Sequence, residues 1–329
     1  MVVKVKEQKI VNRIEVQTNP EYGCKPEDRS VEELLDLGLV ILNKPQGPTS
    51  HQVADSVKHV IGVKKCGHSG TLDPNVTGIL VVALGRGTRA VDVLLKSGKE
   101  YVCLMKLHEK VEESKLREVM GKFVGEIEQL PPKKSAVKRQ WRFREIYYLD
   151  ILEIKDQEVL FKVGCQAGTY IRKLCTDMGK EMGIKAHMQE LVRTKVAHFE
   201  DKNWVSLHDL KDAYVKWKED GNEEEIRKVV RPIEEIVEHM PKIWVQDSAV
   251  DSLCHGAFLS VPGVVKLHED INVGDKVAVM TLKNELIGFG PAKINVQNLM
   301  QKEKGLVIGN LKIFMNRGVY PKYKKDEES

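Results

Sequence analysis

The sequence predicts an α+β fold followed by a small β-barrel domain. Its 329 residues suit two domains of ordinary size. Helical and strand patterns mix between residues 34 and 240 without the regular alternation that parallel α/β folds show. After Pro241, short apolar runs at 264–267, 277–282 and 286–289 are separated by turn residues, a pattern typical of a small barrel.

Each element of the first part follows from a local pattern. Apolar runs bounded by Gly, Pro or Asn predict buried strands, and apolar residues three or four positions apart predict helices. The expected elements are a helix after the capping box Ser30-x-x-Glu33, a strand at 39–42, a helix capped by Ser50 and ended by Gly62, strands at 79–84, 101–107, 146–154 and 159–163, a helix capped by Thr169 and ended by Gly183, and charged helical segments over 208–240.

The composition argues against several classes of protein. No run of about 18 apolar residues is present, so the sequence predicts no membrane-spanning helix. The six cysteines are scattered without a Cys-x-x-Cys pair, and the histidines show no metal-binding spacing. This argues against a disulfide framework and against a metal site. Idle thiols suit a reducing compartment, and we expect a cytoplasmic protein.

A basic segment covers residues 131–144. It contains no acid and includes two aromatic residues, Trp141 and Phe143. Its cations are Lys133, Lys134, Lys138, Arg139, Arg142 and Arg144. Cations pair with phosphates and aromatic rings stack on bases, so the segment suits RNA binding. A solvated basic loop would have the same composition.

Asp73 is the first candidate for chemistry. It lies in the segment Gly67–Gly78, where three glycines allow the backbone to approach a ligand closely. Pro74 follows it, and Asp before Pro is also a common helix start, so an N-cap is the alternative interpretation.

Two other residues could act with such a carboxylate. Arg172 is expected in the first turn of a helix, where a cation faces the positive end of the helix dipole. A nearby carboxylate would compensate, and an Asp paired with Arg stays ionised and can act as a nucleophile or base. A surface Arg turned to solvent is the alternative. Tyr101 could stack on a planar substrate or be half-buried core.

One segment resembles a different kind of site. Gly85-Arg-Gly-Thr-Arg-Ala90 has the shape of a dinucleotide-binding fingerprint. No regular βαβ unit surrounds it, and no acidic residue ends a second strand about 20 residues later, so a nicotinamide or flavin site is not expected.

Together, these segments resemble the TruB-type pseudouridine synthases. The order and spacing of the similar motifs agree over about residues 36–200. The motifs are the loop 42–50, the signature GHSGTLDPNVTGILVVALGRGTR at 67–89, Lys99-Glu-Tyr101, Gly168–Arg172 and Glu190–Lys195. Two positions depart from the family pattern: Val81 replaces a frequent Pro, and Val192 replaces a usual Arg. The second departure would remove a phosphate contact.

Other segments resemble the dyskerin-like branch of this family, the enzymes of H/ACA ribonucleoproteins. The basic segment from Ser135 through Asp150 is similar to the archaeal and eukaryotic enzymes, and residues 254–281 resemble a PUA domain. The length and the absence of long lysine-rich tails favour the archaeal form.

The resemblance implies an α+β catalytic domain, built on a mixed, mainly antiparallel sheet with flanking helices, and a small all-β PUA barrel. The implied parts are an N-terminal extension at 1–33 that packs on the PUA domain, the catalytic domain at 34–243, the PUA domain at 244–321 and a disordered tail at 322–329. Residues 135–145 would form a mobile loop that closes on RNA.

The implied activity is the isomerisation of specific uridines in RNA to pseudouridine, without a metal or cofactor. Asp73 would attack the sugar C1′, attack the base or remove a sugar proton. Arg172 would hold it ionised, and Tyr101 would stack on the flipped uracil. The expected pocket residues are His68, Tyr170, Leu191 and Lys44, and the expected RNA-binding residues are Lys138, Arg139, Arg142, Arg144, Arg193, Gly256 and Gly263.

The resemblance also implies partners. They are an H/ACA guide RNA that supplies sequence specificity, the substrate rRNA and the small accessory proteins of the particle. Modification of a tRNA T-loop uridine without a guide is a further activity known in the family. The alternative function is a non-catalytic RNA-binding scaffold of the same fold, in which Asp73→Ala would leave every activity intact.

Overall fold

The computed structural model describes residues 8–131 and 138–322. Most of the tail predicted at 322–329, part of the loop predicted at 135–145, and Lys133 and Lys134 of the basic segment lie outside these ranges. Among the described helices, none is both long and apolar enough to cross a membrane.

The described residues form two compact units. The first unit comprises residues 39–84 and 91–229, and the second comprises residues 8–38, 85–90 and 230–322.

Helices and strands alternate irregularly along the described chain, as an α+β fold requires. The strands are β1 (Ile10–Asn12), β2 (Gly38–Lys44), β3 (Cys66–His68), β4 (Thr77–Leu84), β5 (Lys99–Leu107), β6 (Gly125–Gln129), β7 (Arg142–Lys155), β8 (Glu158–Cys165), β9 (Ala186–Val196), β10 (Phe199–Glu200), β11 (Arg231–Pro232), β12 (Lys242–Val245), β13 (Leu259–Ser260), β14 (Val264–His268), β15 (Lys276–Thr281), β16 (Leu286–Pro291), β17 (Leu306–Ile308) and β18 (Lys312–Ile313). The α-helices are α1 (Val31–Asp36), α2 (Ser50–Ile61), α3 (Val91–Lys96), α4 (Glu113–Lys122), α5 (Ile171–Met182), α6 (Leu207–Asp220), α7 (Glu224–Val229), α8 (Asp247–Cys254) and α9 (Val296–Gln301).

The first unit is built on a mixed, mainly antiparallel sheet, which confirms the prediction. Its strands follow the order β2-β4-β9-β5-β8-β7-β6, with β3 added to β4 and β10 to β9. The pairs along this path are antiparallel except β4 with β9, which run parallel and meet at Gly78 and Arg193. Strand β5, which contains Tyr101 near its start, therefore lies between β9 and β8.

Helices α4 and α5 pack on one face of this sheet. The predicted apolar face of α5 is buried together with sheet residues such as Cys103, Met105 and Phe161. Its members are Ile171, Leu174, Cys175, Met178 and Met182. Burial of one such side chain contributes about 1.5–3 kcal/mol. This packing fixes the first turn of α5, where Arg172 lies, on the sheet.

The second unit contains the strands predicted after Pro241. Its sheet has the order β1-β14-β12-β15-β16-β18, and β13 pairs with β17. A cluster of buried aliphatic residues forms the core, among them Val264, Val277 and Ile287.

The N-terminal segment belongs to the second unit. Strand β1 pairs with β14, so Ile10 lies opposite His268. Further along, Thr18 Oγ1 donates to Asp247 at 2.9 Å. Arg29 forms two hydrogen bonds to the buried Glu234 carboxylate, at 2.8 and 2.7 Å. The limits predicted for the separate domains remain a prediction.

Several local expectations are confirmed and others need correction. The capping box of Ser30 and Glu33 is present. Helix α2 is capped by Thr49 and not by Ser50. Helix α5 begins after Tyr170 without a side-chain cap, because the Thr169 hydroxyl donates to the Gln166 carbonyl oxygen instead.

The prediction of a loop over residues 135–145 is also wrong for residues 142–145. Residues 142–145 are the first part of β7 and pair with β6. The cations Arg142 and Arg144 therefore lie on a strand. The helical segment predicted at 208–240 is interrupted, since Gly221 with a φ of 67° ends α6.

Candidate active site

The segment Gly67–Gly78 covers the end of β3, a loop over residues 69–76 and the start of β4. Gly78 has a φ of 108°, and a Cβ built on it would lie 2.3 Å from the Arg193 carbonyl oxygen. Only glycine allows this approach, because its absent side chain leaves room for the β9 backbone. Asp73 lies in the middle of this loop.

Asp73 and Arg172 form the centre of the site. The Asp73 carboxylate accepts a short hydrogen bond from the Arg172 guanidinium, and about half of each side chain is exposed. No helix begins at Asp73; a turn follows, in which Val76 N donates to the Asp73 carbonyl oxygen at 3.0 Å. The structure therefore excludes the N-cap alternative and supplies the carboxylate expected for Arg172.

Lys44 lies beneath this loop. Its side chain is fully buried, and Nζ donates to the carbonyl oxygens of Pro45, Pro74 and Val76 at 2.8, 3.0 and 2.9 Å. Burial lowers the pKa of Lys44, the Arg193 charge lowers it further, and Asp73 opposes both. Lys44 therefore holds the backbone on the C-terminal side of Asp73 and does not face the open part of the site.

Ser50 holds the other side of the loop, a role that the sequence did not reveal. Its Oγ accepts from Leu72 N at 2.8 Å and donates to Leu72 O at 3.3 Å. Ser50 is buried at the start of α2. The adjacent hydroxyls of Thr49 and Ser50 have different partners. Thr49 caps the helix, so the Ser50 hydroxyl is available to bind the loop.

Replacing this hydroxyl should weaken the loop measurably. Ser50→Ala leaves the buried Leu72 N–H without an acceptor, and we expect the free energy of unfolding to fall by about 1–3 kcal/mol. The Asp73 carboxylate should also be held less firmly, because Leu72 precedes Asp73. Chemical denaturation tests the expected loss of stability, and Ser56→Ala is the control because the exposed Ser56 hydroxyl donates to Gln52 O within α2. Equal effects of the two substitutions would contradict the assignment.

Tyr101 and Arg193 lie opposite each other on β5 and β9. Arg193 is only 1% exposed; it donates to Ile79 O at 2.8 Å and Gly70 O at 3.2 Å, and it is hydrogen bonded to the Tyr101 side chain. Burial raises the pKa of Tyr101 although Arg193 opposes the shift, so Tyr101 is protonated at neutral pH. The prediction that Arg193 contacts RNA is wrong for this structure, because its guanidinium is enclosed by backbone and Tyr101.

The other predicted pocket residues lie close to these groups. His68 ends β3 and accepts from Gly70 N at 3.4 Å. Burial and the Arg193 charge lower the pKa of His68, which keeps the imidazole neutral near pH 7. Leu191 belongs to the buried cluster on which Tyr101 also packs. Tyr170 is held through its backbone by Gln129, with bonds of 3.0 and 3.2 Å.

The described part of the basic segment is exposed and irregular before β7. Lys138 and Arg139 are exposed, and Trp141 and Phe143 are 60% and 62% exposed. Arg144 lies against Gly168, where a built Cβ would be 3.3 Å from its Nε atom. Large exposed aromatics interleaved with cations remain the pattern expected of an RNA-contacting edge.

The second unit contains a cavity of about 630 Å³. Gly256, with a φ of 91°, lines it, together with the exposed Arg89 and Arg317. Gly263 was also predicted to approach RNA, but it is buried, and a Cβ there would lie 3.2 Å from Leu259. Close packing against Leu259 therefore accounts for a glycine at position 263.

Models of known families match nearly the whole chain. The N-terminal domain of the TruB family of pseudouridylate synthases matches residues 58–115 and 108–171, and the C-terminal domain of tRNA pseudouridylate synthase B matches 172–238. A PUA domain matches 241–314, and a DKCLD domain matches 3–54.

Relatives share about half of the sequence. A protein of Thermococcus kodakarensis described as "Probable tRNA pseudouridine synthase B" is 51% identical over 325 residues, covering 98% of this chain and 96% of that protein. One of Methanopyrus kandleri with the same description is 49% identical over 317 residues, covering 96% and 94%. The chain belongs to the TruB family of pseudouridine synthases.

Solved structures agree with this assignment. A chain in the "Crystal Structure of a Cbf5-Nop10-Gar1 Complex" superposes with a TM-score of 0.91 at 49% identity, covering 97% of each chain. A chain in the "Structure of H/ACA RNP bound to a substrate RNA containing 2'-deoxyuridine" gives 0.90 at 47% identity, covering 96% of this chain and 98% of the other. The TruB-type chain is thus an RNA pseudouridine synthase with a PUA domain.

Proposed function

We propose that this pseudouridine synthase modifies rRNA as the catalytic subunit of an H/ACA guide-RNA particle, with Asp73 as its catalytic carboxylate. The observation that supports this best is the pair of Asp73 and Arg172, half-exposed at a loop fixed from below by Lys44 and Ser50. A rigid loop with an accessible carboxylate is what a preorganised catalytic group requires.

The proposed reaction moves the uracil from N1 to C5 attachment. The N1–C1′ bond breaks, the base turns over, C5 bonds to C1′, and the C5 proton leaves while N1 gains one. Asp73 supplies the carboxylate for this exchange, and the hydrogen bond from Arg172 aims it. Tyr101 provides a face for the extruded base, and the neutral His68 is the side chain that replaces the base in the stack.

The cavity of the second unit supports guide-RNA binding. It combines two exposed arginines, Arg89 and Arg317, with the open backbone of Gly256. Phe258 is 62% exposed two residues beyond Gly256. Phosphate pairing and base stacking are the interactions that such groups make with single-stranded RNA.

The proposed partners extend to accessory proteins. The similar solved chains are described in complexes with Nop10 and Gar1 and with a substrate RNA, and we propose the same classes of partner here. Free cysteines throughout the described residues suit a reducing compartment and the proposed cytoplasmic location.

A second substrate has an observation in its favour. Several relatives are described as "Probable tRNA pseudouridine synthase B", so a tRNA uridine modified without a guide is the second candidate. The test incubates the purified chain with a tRNA transcript and, separately, with guide RNA, accessory proteins and target rRNA. Pseudouridine in the rRNA target only when the guide is present supports the first function, and guide-independent product in the tRNA alone would replace it with the second.

Removal of Arg317 should weaken guide binding. Arg317→Ala removes one phosphate partner, so we expect affinity for the guide RNA to fall several-fold. The slope of the logarithm of the binding constant against the logarithm of the salt concentration should decrease in magnitude by about one. Lys302→Ala removes one exposed charge of the same unit outside the cavity and is the matched control. Binding titrations at several salt concentrations measure both, and indistinguishable titrations of the two variants would argue against the cavity as the guide site.

A further inference from the structure

Glu100 is a buried acid that the proposed chemistry does not use. It lies on β5 directly before Tyr101 and is 4% exposed. Its carboxylate accepts a short hydrogen bond from the Tyr148 hydroxyl and a 2.7 Å bond from Thr194 Oγ1. Lys195 Nζ lies 4.0 Å away.

Burying such a group is costly unless every oxygen is satisfied. A buried acid is tolerated when it is paired and hydrogen bonded. Here the donors come from two different strands, Tyr148 from β7 and Thr194 from β9. The carboxylate therefore links β5, β7 and β9 on the face of the sheet opposite the Tyr101 side chain.

The pairing of β5 with β9 is irregular at this point. Glu100 is opposite Lys195, whereas Tyr101 is opposite Arg193, so Thr194 is an extra residue in the ladder. Such a bulge re-aims the side chains on either side of it. A one-residue shift in register would turn a side chain to the other face of the sheet. The bulge therefore places Arg193 opposite Tyr101.

The Tyr148 hydroxyl is held in place by close packing of its ring. A Cβ built on Gly164 of β8 would lie 2.3 Å from the Tyr148 ring, so the ring rests on the bare backbone of that glycine. The β7–β8 pairing also shifts register between Ile146 and Tyr148.

We propose that Glu100, with Tyr148 and Thr194, is a positioning residue that fixes the Thr194 bulge, so that the enclosed Arg193 holds Tyr101 in place for the uracil. This inference rests on the proposed function of Asp73 and Tyr101. It predicts that the network acts on the chemical step and not on RNA affinity, because none of its members lies on the Tyr101 face.

Four variants test the proposal within the assembled particle. Thr194→Val and Tyr148→Phe remove the two donors, while Thr194→Ser keeps the hydroxyl. Tyr147→Phe removes a hydroxyl from the neighbouring residue of β7. The single-turnover rate constant and the dissociation constant for RNA are measured for each, with thermal unfolding as a check on folding.

We expect Thr194→Val and Tyr148→Phe to lower the rate constant about 10- to 100-fold, as small misplacements of reacting groups do. The dissociation constant should stay within about twofold, and Thr194→Ser and Tyr147→Phe should behave like the wild type. Wild-type rates in folded Thr194→Val and Tyr148→Phe would overturn the proposal, as would parallel losses of rate, affinity and melting temperature. A wild type without activity would instead overturn the proposed function on which it rests.

Discussion

We expect Asp73→Asn to abolish pseudouridine formation and to leave RNA binding intact. Asparagine keeps the size of the side chain but cannot carry the charge, attack a carbon atom or take a proton. We expect the single-turnover rate to fall by about 10³-fold or more, the range seen when a group that performs the chemistry is removed. Stability should change by under about 1 kcal/mol, because the ion pair with Arg172 is half-exposed.

Asp177→Asn is the matched control for this substitution. Asp177 also forms an ion pair, with Lys173 one turn away within α5, but it lies outside the site. Its loss should leave the rate unchanged. If Asp73→Asn kept a rate within tenfold of the wild type in the same assay, a different group would have to perform the chemistry.

Lys44→Met should have the largest effect on stability. The substitution removes the Nζ donor from the Pro45, Pro74 and Val76 carbonyl oxygens, and among the described residues only Pro74 O keeps another donor, the Gly47 N–H. Loss of a buried charged donor costs about 3–5 kcal/mol, and the rate should fall because Pro74 and Val76 belong to the turn that begins at Asp73.

Hydrogen exchange gives the sharpest measurement of this effect. The amides of Gly47 and Val76 bond to Pro74 O and Asp73 O, so they should exchange faster in Lys44→Met, together with a lower unfolding free energy. Lys64→Met, at an exposed position after α2, should change stability by no more than about 0.5 kcal/mol. Unchanged exchange at Gly47 and Val76 in Lys44→Met would show that Lys44 does not fix the loop.

The sequence predicted those parts of the fold that local periodicity determines. The apolar face of α5 has residues three or four positions apart, and its five members are buried as expected. The strands at β4, β5 and β8 are apolar runs that bury one or both faces. Interactions within one turn, such as the Ser30 capping box, were also predictable.

The pair of Asp73 and Arg172 could be anticipated because Arg172 stands where a helix dipole disfavours a cation. Contacts that depend on tertiary register could not be anticipated. Arg193 was expected to meet RNA, and only the pairing of β4 with β9 shows that it is enclosed.

Most of the contacts that the sequence did not predict join residues far apart along the chain. Glu100 meets Tyr148 and Thr194, which are 48 and 94 residues away along the chain. Strand β1 pairs with β14 across more than half of the sequence. No local pattern records either contact, since strand register is set by the burial of whole faces and not by neighbouring residues.

The most direct test of the central claim is nucleoside analysis of RNA treated with the wild-type chain and with Asp73→Asn. Each protein is incubated with guide RNA, accessory proteins and target rRNA, and the digested RNA is separated so that pseudouridine is resolved from uridine. We predict pseudouridine from the wild type and none from Asp73→Asn, with equal RNA binding. Pseudouridine from both proteins, or from neither while RNA is tightly bound, would contradict catalysis by Asp73, and the second result would favour a non-catalytic RNA scaffold.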